Sequence, residues 1–167
     1  AVLVGDCLLS KSLQHAAATG NTEVVRDIAV IGQHLADGEL LQLYNISSDL
    51  IAEEPYFEVI KRKTASLFRS SAVIGAMLSG ASPVQQDAMR LYGENLCVCF
   101  QIRDDSFDYE HNVNTGKPLG NDMKEGKLTL PVLYALSLTS DLQHEKAVEG
   151  ALRVRARLAS DEDILWL

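Results

Sequence analysis

The sequence has no run approaching the roughly 18 apolar residues that a membrane span requires, no basic tract, no internal repeat, no low-complexity stretch and no alternating strand pattern. The first absence argues against a bilayer-spanning helix, although a membrane-associated substrate stays compatible with the chain. The shortage of basic residues, 15 Lys+Arg against 23 Asp+Glu for a net charge of −8, argues against general nucleic-acid binding, whose affinity comes mostly from neutralising phosphates. Cysteine is scarce too. Cys7, Cys97 and Cys99 form an odd set inside apolar helical patterns, which reads as buried free thiols in a reducing, cytoplasmic compartment. The Cys97-x-Cys99 pair lacks the spacing usual for zinc. The first residues, Ala1-Val2-Leu3-Val4-Gly5-Asp6, lack a charged n-region and already carry a helical apolar pattern, so they do not read as a secretory signal. Together with an apolar C-terminus, they lead to the expectation of one helical domain over 1–167 that is part of a larger domain.

What is present is apolar spacing of helical period. Residues 1 to about 19 read as a helix, Gly20-Asn21-Thr22 as a break with Thr22 as N-cap, and Glu23 to about Asn45 as a second helix. A third begins at Pro55, a residue suited to a first helical turn, and runs to about Ser79. Ser82-Pro83 caps and starts a fourth, Leu128-Thr129-Leu130-Pro131 opens another, 147–158 is amphipathic, and Ser160 with Asp163 resembles a capping box. The expected fold class is all-α, with seven or so helices. His34 and Gln42, near the apolar stripe of the second helix, read as packed polar residues rather than catalytic ones.

One stretch of the fourth helix stands out. Asp104, Asp105 and Asp108 fall within five residues, and on a helix Asp104 and Asp108 share a face at i and i+4, where like charges repel. The preceding Leu96-Cys97-Val98-Cys99-Phe100 is too apolar for a solvated surface, so exposure alone is not expected to relieve that repulsion. The plain alternative is a solvated acidic helix end. A hard divalent cation relieves the charge directly, and Mg²⁺ takes one or two carboxylates, keeps waters and completes its shell with phosphate. A Gly-, Asn- and Lys-rich loop follows from Glu110 to Lys127, with Lys117, Lys124 and Lys127 able to hold an anion opposite the metal. Lys63 lies on an apolar helix face with Ile60 and Leu67, where an ammonium either snorkels or meets an anion. The residues therefore point to a Mg²⁺–diphosphate site.

Taken in order, these pieces resemble the trans-isoprenyl (polyprenyl) diphosphate synthases. The resemblance rests on Gly5-Asp6, Gly38-Glu39 with Gln42, and Lys63-Thr64-Ala65-x-Leu67. It continues through Gly93 and Phe100-Gln101-x-x-Asp104-Asp105-x-x-Asp108-Tyr109, then Gly116-Lys117-Pro118-Leu119-Gly120-x-Asp122 and Gly126-Lys127-x-Thr129-Leu130-Pro131. It implies an isoprenoid-synthase bundle of mostly antiparallel helices around a central cavity, present as a homodimer. Asp104, Asp105 and Asp108 match the second aspartate-rich motif, which holds Mg²⁺ against an allylic prenyl diphosphate. Lys63 and Lys127 match diphosphate-binding lysines, with Lys117 as a helper. Thr64 and Gln101 match positions whose oxygens face the allylic carbocation. The implied reaction condenses the allylic diphosphate with isopentenyl diphosphate. The first aspartate-rich motif and its paired arginines do not occur in these residues, so the polypeptide alone is expected to be inactive and a longer parent active. A non-catalytic regulatory subunit and a terpene cyclase are the competing readings. Retained site residues argue against the first, and Asp108 with Lys127-x-Thr129 against the second.

Overall fold

The computed structural model describes residues 1–48, 50–110, 120–139 and 141–167. Among these the chain is helical, without strand: α1 (Val2–Ala18), α2 (Thr22–Ile46), α3 (Glu53–Ile60), a π-helical turn (Lys61–Ala65), α4 (Ser66–Leu78), α5 (Pro83–Ser106), a 3₁₀ turn (Phe107–Tyr109), α6 (Asn121–Lys124), α7 (Leu130–Leu138), α8 (Asp141–Arg155) and α9 (Asp161–Trp166). Two compact units form, Ala1–Asp37 with Arg62–Cys97, and Gly38–Lys61 with Val98–Leu167.

In the first unit, α4 and α5 approach so closely at Gly93 that a Cβ there would lie 2.8 Å from the carbonyl oxygen of Phe68. Only glycine fits that approach. Val73 and Cys97 are fully buried here, whereas Cys7 and Cys99 are exposed, contrary to the expectation of three buried thiols. Leu96 and Phe100 are exposed as well, at 45% and 56%, so α5 is not enclosed on all sides in the chain by itself. Its apolar composition reads instead as a surface suited to a partner. The N-cap of α2 is Asn21 rather than Thr22. The Asn21 side chain accepts from the Glu23 amide at 2.9 Å, the bond a helix start requires, and Thr22 is already inside the helix.

The second unit is built on Met123, Leu128, Val132, Leu133, Leu136, Ala147, Ala151 and Val154, against which Tyr56, Tyr109 and Ile164 pack. Helix α8 starts earlier than the amphipathic pattern indicated and ends at Arg155, where Arg157 takes a left-handed φ of 56°. The amides of Arg157 and Leu158 return to the carbonyls of Val154 and Arg153, closing the last turn as a Schellman motif. Capping boxes start α5 and α9. Ser82 and Gln85 exchange bonds at the first, Ser160 and Asp163 at the second. The Arg153 guanidinium donates to Asp163 at 2.6 Å. That bond and the Ser160 donors hold the Asp163 carboxyl down at about 2. A depressed carboxyl stabilises the fold above its unfolded value near 4, and loses that contribution as pH falls through its folded value. Thermal melts between pH 5 and pH 2 should therefore show Asp163→Asn less acid-sensitive than wild type; parallel acid profiles would remove Asp163 from the account.

Candidate functional site

The second unit gathers four carboxylates and one ammonium where α5 gives way to α6. Helix α5 ends at Ser106, and the chain tightens into the 3₁₀ turn before Asp108. The expected single face carrying Asp104 and Asp108 is thus broken between them. Asp104 is exposed, Asp105 is buried and Asp108 is half-buried. Asp108 accepts from the amides of Asn121 and Asp122 at 3.1 and 3.0 Å, and its carbonyl accepts from Gly120. It therefore caps α6, a role worth about 1 kcal/mol. That cap draws Asp122 to the cluster.

Gly120 and Gly126 bracket α6 with φ of 67° and 83°. After α6 the amide of Gly126 bonds to the carbonyl of Met123 and that of Lys127 to Asp122, a second Schellman closure. This local geometry sets the Lys127 ammonium 3.8 Å from the Asp122 carboxylate and in a short hydrogen bond to Glu125. Burial lowers the Lys127 pKa, but Glu125, Asp122 and Glu39 outweigh it and the ammonium is held charged.

Asp105 lies at the centre. Tyr56 donates its hydroxyl to one carboxylate oxygen at 2.7 Å, and Gln101, one helical turn earlier on α5, donates its amide nitrogen to the other at 2.7 Å. Burial raises the Asp105 pKa, the two hydrogen bonds oppose it, and Asp104 and Asp108 add to the rise. Burial and the bond to Asp105 also raise the Tyr56 phenol, which keeps its proton and stays a donor. Tyr109 shares a 2.9 Å hydroxyl–hydroxyl bond with Thr129, and burial raises its pKa as well. The Asp122 carboxyl is pushed up to about 6, first by burial and then by Asp108, with Lys127 pulling it down. Negative charge here exceeds what one ammonium offsets.

The structure brings Gln101, Asp104, Asp105, Asp108 and Lys127 into the second unit. Lys63 and Thr64 belong to the first, inside the π-helical turn that interrupts what the sequence indicated as one uninterrupted third helix. Such turns insert an extra residue into a helix and recur at functional sites. Lys117 lies outside the described residues. Lys124 turns to Asp161 at 3.3 Å. The sequence does not single out Asp122, Tyr56, Tyr109 or Thr129 as site residues, though Tyr109, Asp122 and Thr129 stand inside the quoted motifs.

The family described as polyprenyl synthetase has a sequence model that matches residues 1–162. The chain belongs to that family. It is 38% identical over 136 residues to an octaprenyl diphosphate synthase of Escherichia coli, a match covering 81% of this chain and 42% of the relative. A geranylgeranyl pyrophosphate synthase from Bacteroides thetaiotaomicron superposes with a TM-score of 0.89 at 46% identity, covering 99% of this chain and 54% of that one. A decaprenyl diphosphate synthase from Rhodobacter capsulatus does so with a TM-score of 0.84 at 35% identity, covering 99% and 50%. The chain thus has the all-α isoprenoid-synthase fold and spans about half the length of the relatives it matches.

Prenyl synthases generally use a divalent metal, and the residues fit one. The donors are carboxylate oxygens, and the Asp105 and Asp122 pKa values are raised first by burial, with neighbouring carboxylates adding to the rise. Among the described residues no three carboxylates already converge on one point, but Mg²⁺ needs only one or two together with waters and phosphate. Asp105 and Asp108 keep lone pairs beyond those their protein donors use.

Because Lys127 depends on the turn at Gly126, Gly126→Ala should destabilise the protein by about 1–2 kcal/mol. A Cβ there would also lie 3.2 Å from Arg157 and 3.3 Å from Ile46. Denaturant unfolding checks this, and an unchanged midpoint would contradict the reading of the turn.

Proposed function

We propose that the protein to which this chain belongs is a trans-prenyltransferase, condensing an allylic prenyl diphosphate with isopentenyl diphosphate and releasing diphosphate. The observation that carries the reading is the grouping of Asp104, Asp105, Asp108 and Asp122 with the Lys127 ammonium between Asp122 and Glu125. Such a charge distribution suits a cation and a polyanion taken up together. Membership of a family whose relatives are named as octaprenyl and geranylgeranyl synthases supports the same chemistry.

Cleaving the allylic C–O bond leaves both electrons on diphosphate and a cation on the prenyl carbon. Asp104, Asp105 and Asp108 are the carboxylates that would hold Mg²⁺, which when bound would supply Lewis-acid stabilisation of the leaving group. Lys127 is an ammonium suited to meet the developing anion, a role the family resemblance also gives to Lys63 and Lys117. The same resemblance assigns the oxygens of Gln101 and Thr64 to the allylic cation. The carbon–carbon double bond of isopentenyl diphosphate attacks that cation, and loss of a proton restores an alkene in a product longer by one isoprene unit. The cation has to be kept from water, which would otherwise capture it.

We assign the protein to the cytoplasm and to a homodimer. No described helix is long and apolar enough to cross a membrane, which is compatible with the first assignment. The exposed apolar residues of α1 and α5 support the second.

The full-length protein incubated with Mg²⁺, an allylic diphosphate and isopentenyl diphosphate should yield a longer prenyl diphosphate, and Asp104→Asn should slow this on the order of a hundredfold. A hydrocarbon product would make it a terpene cyclase. No turnover unless a second, catalytic chain is supplied would make it a regulatory subunit.

A further inference from the structure

A glutamine amide has two ends, and a half-turn of its last torsion exchanges an oxygen for an NH₂. A cation is stabilised by the first and repelled by the second. Any role for Gln101 towards an electron-poor carbon therefore depends on which end is committed elsewhere. In the structure the Gln101 nitrogen is bound 2.7 Å from Asp105. Asp105 is 7% exposed, while Asp104, its neighbour in sequence, is exposed.

Among the described residues Asp105 has two hydrogen-bond partners, the Gln101 amide and the Tyr56 phenol, and both are neutral. A buried carboxylate costs several kcal/mol in desolvation, and an apolar residue of the same size would pack the position more cheaply. Tyr56 comes from α3, packs against the second unit's core and approaches the Asp105 oxygen not used by Gln101. The carboxylate is thus pinned on one side and does the pinning on the other. Hydrogen bonds to an ionised acceptor are about twice as strong as neutral ones, which suits a group whose task is to prevent an amide flip.

We propose that Asp105 is a positioning residue rather than a metal ligand: held by Tyr56, it binds the Gln101 nitrogen and leaves the amide oxygen as the end presented to the prenyl cation. The cation's carboxylates are then Asp104 and Asp108. This rests on the prenyltransferase reading and divides the work within the aspartate cluster: Asp105 is committed to side-chain partners, and the exposed Asp104 with the lone pairs that Asp108 keeps beyond its α6 amides is left for the ion.

The test uses the full-length enzyme and two readouts. Titration calorimetry follows Mg²⁺ with inorganic pyrophosphate, and steady-state kinetics follows kcat and KM. Asp105→Asn should bind Mg²⁺–pyrophosphate within about twofold of wild type, whereas Asp104→Asn should weaken binding by tenfold or more, roughly the loss expected when a ligand-shell group is removed. Asp105→Asn should lower kcat by about tenfold or more with KM little changed, because an amide at position 105 can turn its own NH₂ to Gln101 and reverse it. In a Gln101→Ala background neither Asp105→Asn nor Tyr56→Phe should reduce kcat further, since both act through the missing amide. Tyr56→Phe removes one hydroxyl and serves if Asp105→Asn fails to fold; alone it should lower kcat severalfold without altering Mg²⁺–pyrophosphate binding. Weakened binding in Asp105→Asn equal to that of Asp104→Asn, or losses that add in the double variants, would overturn the assignment. A wild-type enzyme that binds Mg²⁺–pyrophosphate yet forms no prenyl diphosphate would instead overturn the prenyltransferase reading beneath it.

Discussion

Mutual repulsion among Asp104, Asp105, Asp108 and Asp122 is the constraint on which the rest of the second unit depends. Burial of Asp105 and Asp122 removes the water that would screen them, and the carboxylates beside them add to the cost of ionising them. Asp122, with Lys127 beside it, is pushed up to about 6, first by burial and then by Asp108. Surface acids avoid that strain by facing water. Here the tyrosine, the glutamine and the cap of α6 draw three of the four inward, so the chain retains an electrostatic deficit that a cation relieves.

Short-range backbone geometry builds this deficit. Gly120 and Gly126 adopt left-handed conformations on either side of a one-turn helix. Asp108 satisfies the orphan amides at its start, and the amide of Lys127 satisfies a carbonyl at its end. One turn of helix therefore ties an acid of the aspartate motif, a second acid and Lys127 into a single piece. That piece rests on Met123, Leu128 and Val132, members of the second unit's core, so its position is set by apolar packing rather than by the charges it carries.

Much of this was legible from local chemistry. The N-cap at Ser82 and the capping box of Ser160 with Asp163 need only local residue types, and both formed, with Gln85 completing a box at Ser82 that the sequence reading did not include. The aspartate motif and the Gly126-Lys127-x-Thr129 segment pointed to the family because their order is specific, and the polyprenyl synthetase match agrees. The rest was not local. Tyr56 lies 49 residues from Asp105, and nothing in its own helix marks it as a carboxylate's partner. Asp122 acquires its raised pKa from burial first and from Asp108 second, both of them tertiary. The π-helical turn at Lys61–Ala65 has no accepted sequence signal, and exposure at Cys7, Cys99 and Phe100 depends on surfaces that composition does not describe. Asn21 outcompeted Thr22 as a cap through a one-residue shift of the helix start.

If the carboxylate cluster is a half-finished charge arrangement completed by a cation and a polyanion, the two should bind together and not separately. Calorimetry on the wild-type protein with Mg²⁺ alone, pyrophosphate alone and both together measures this coupling directly. The account predicts that each ligand tightens the other by tenfold or more, about 1.4 kcal/mol of coupling. Equal affinities in all three titrations would contradict it.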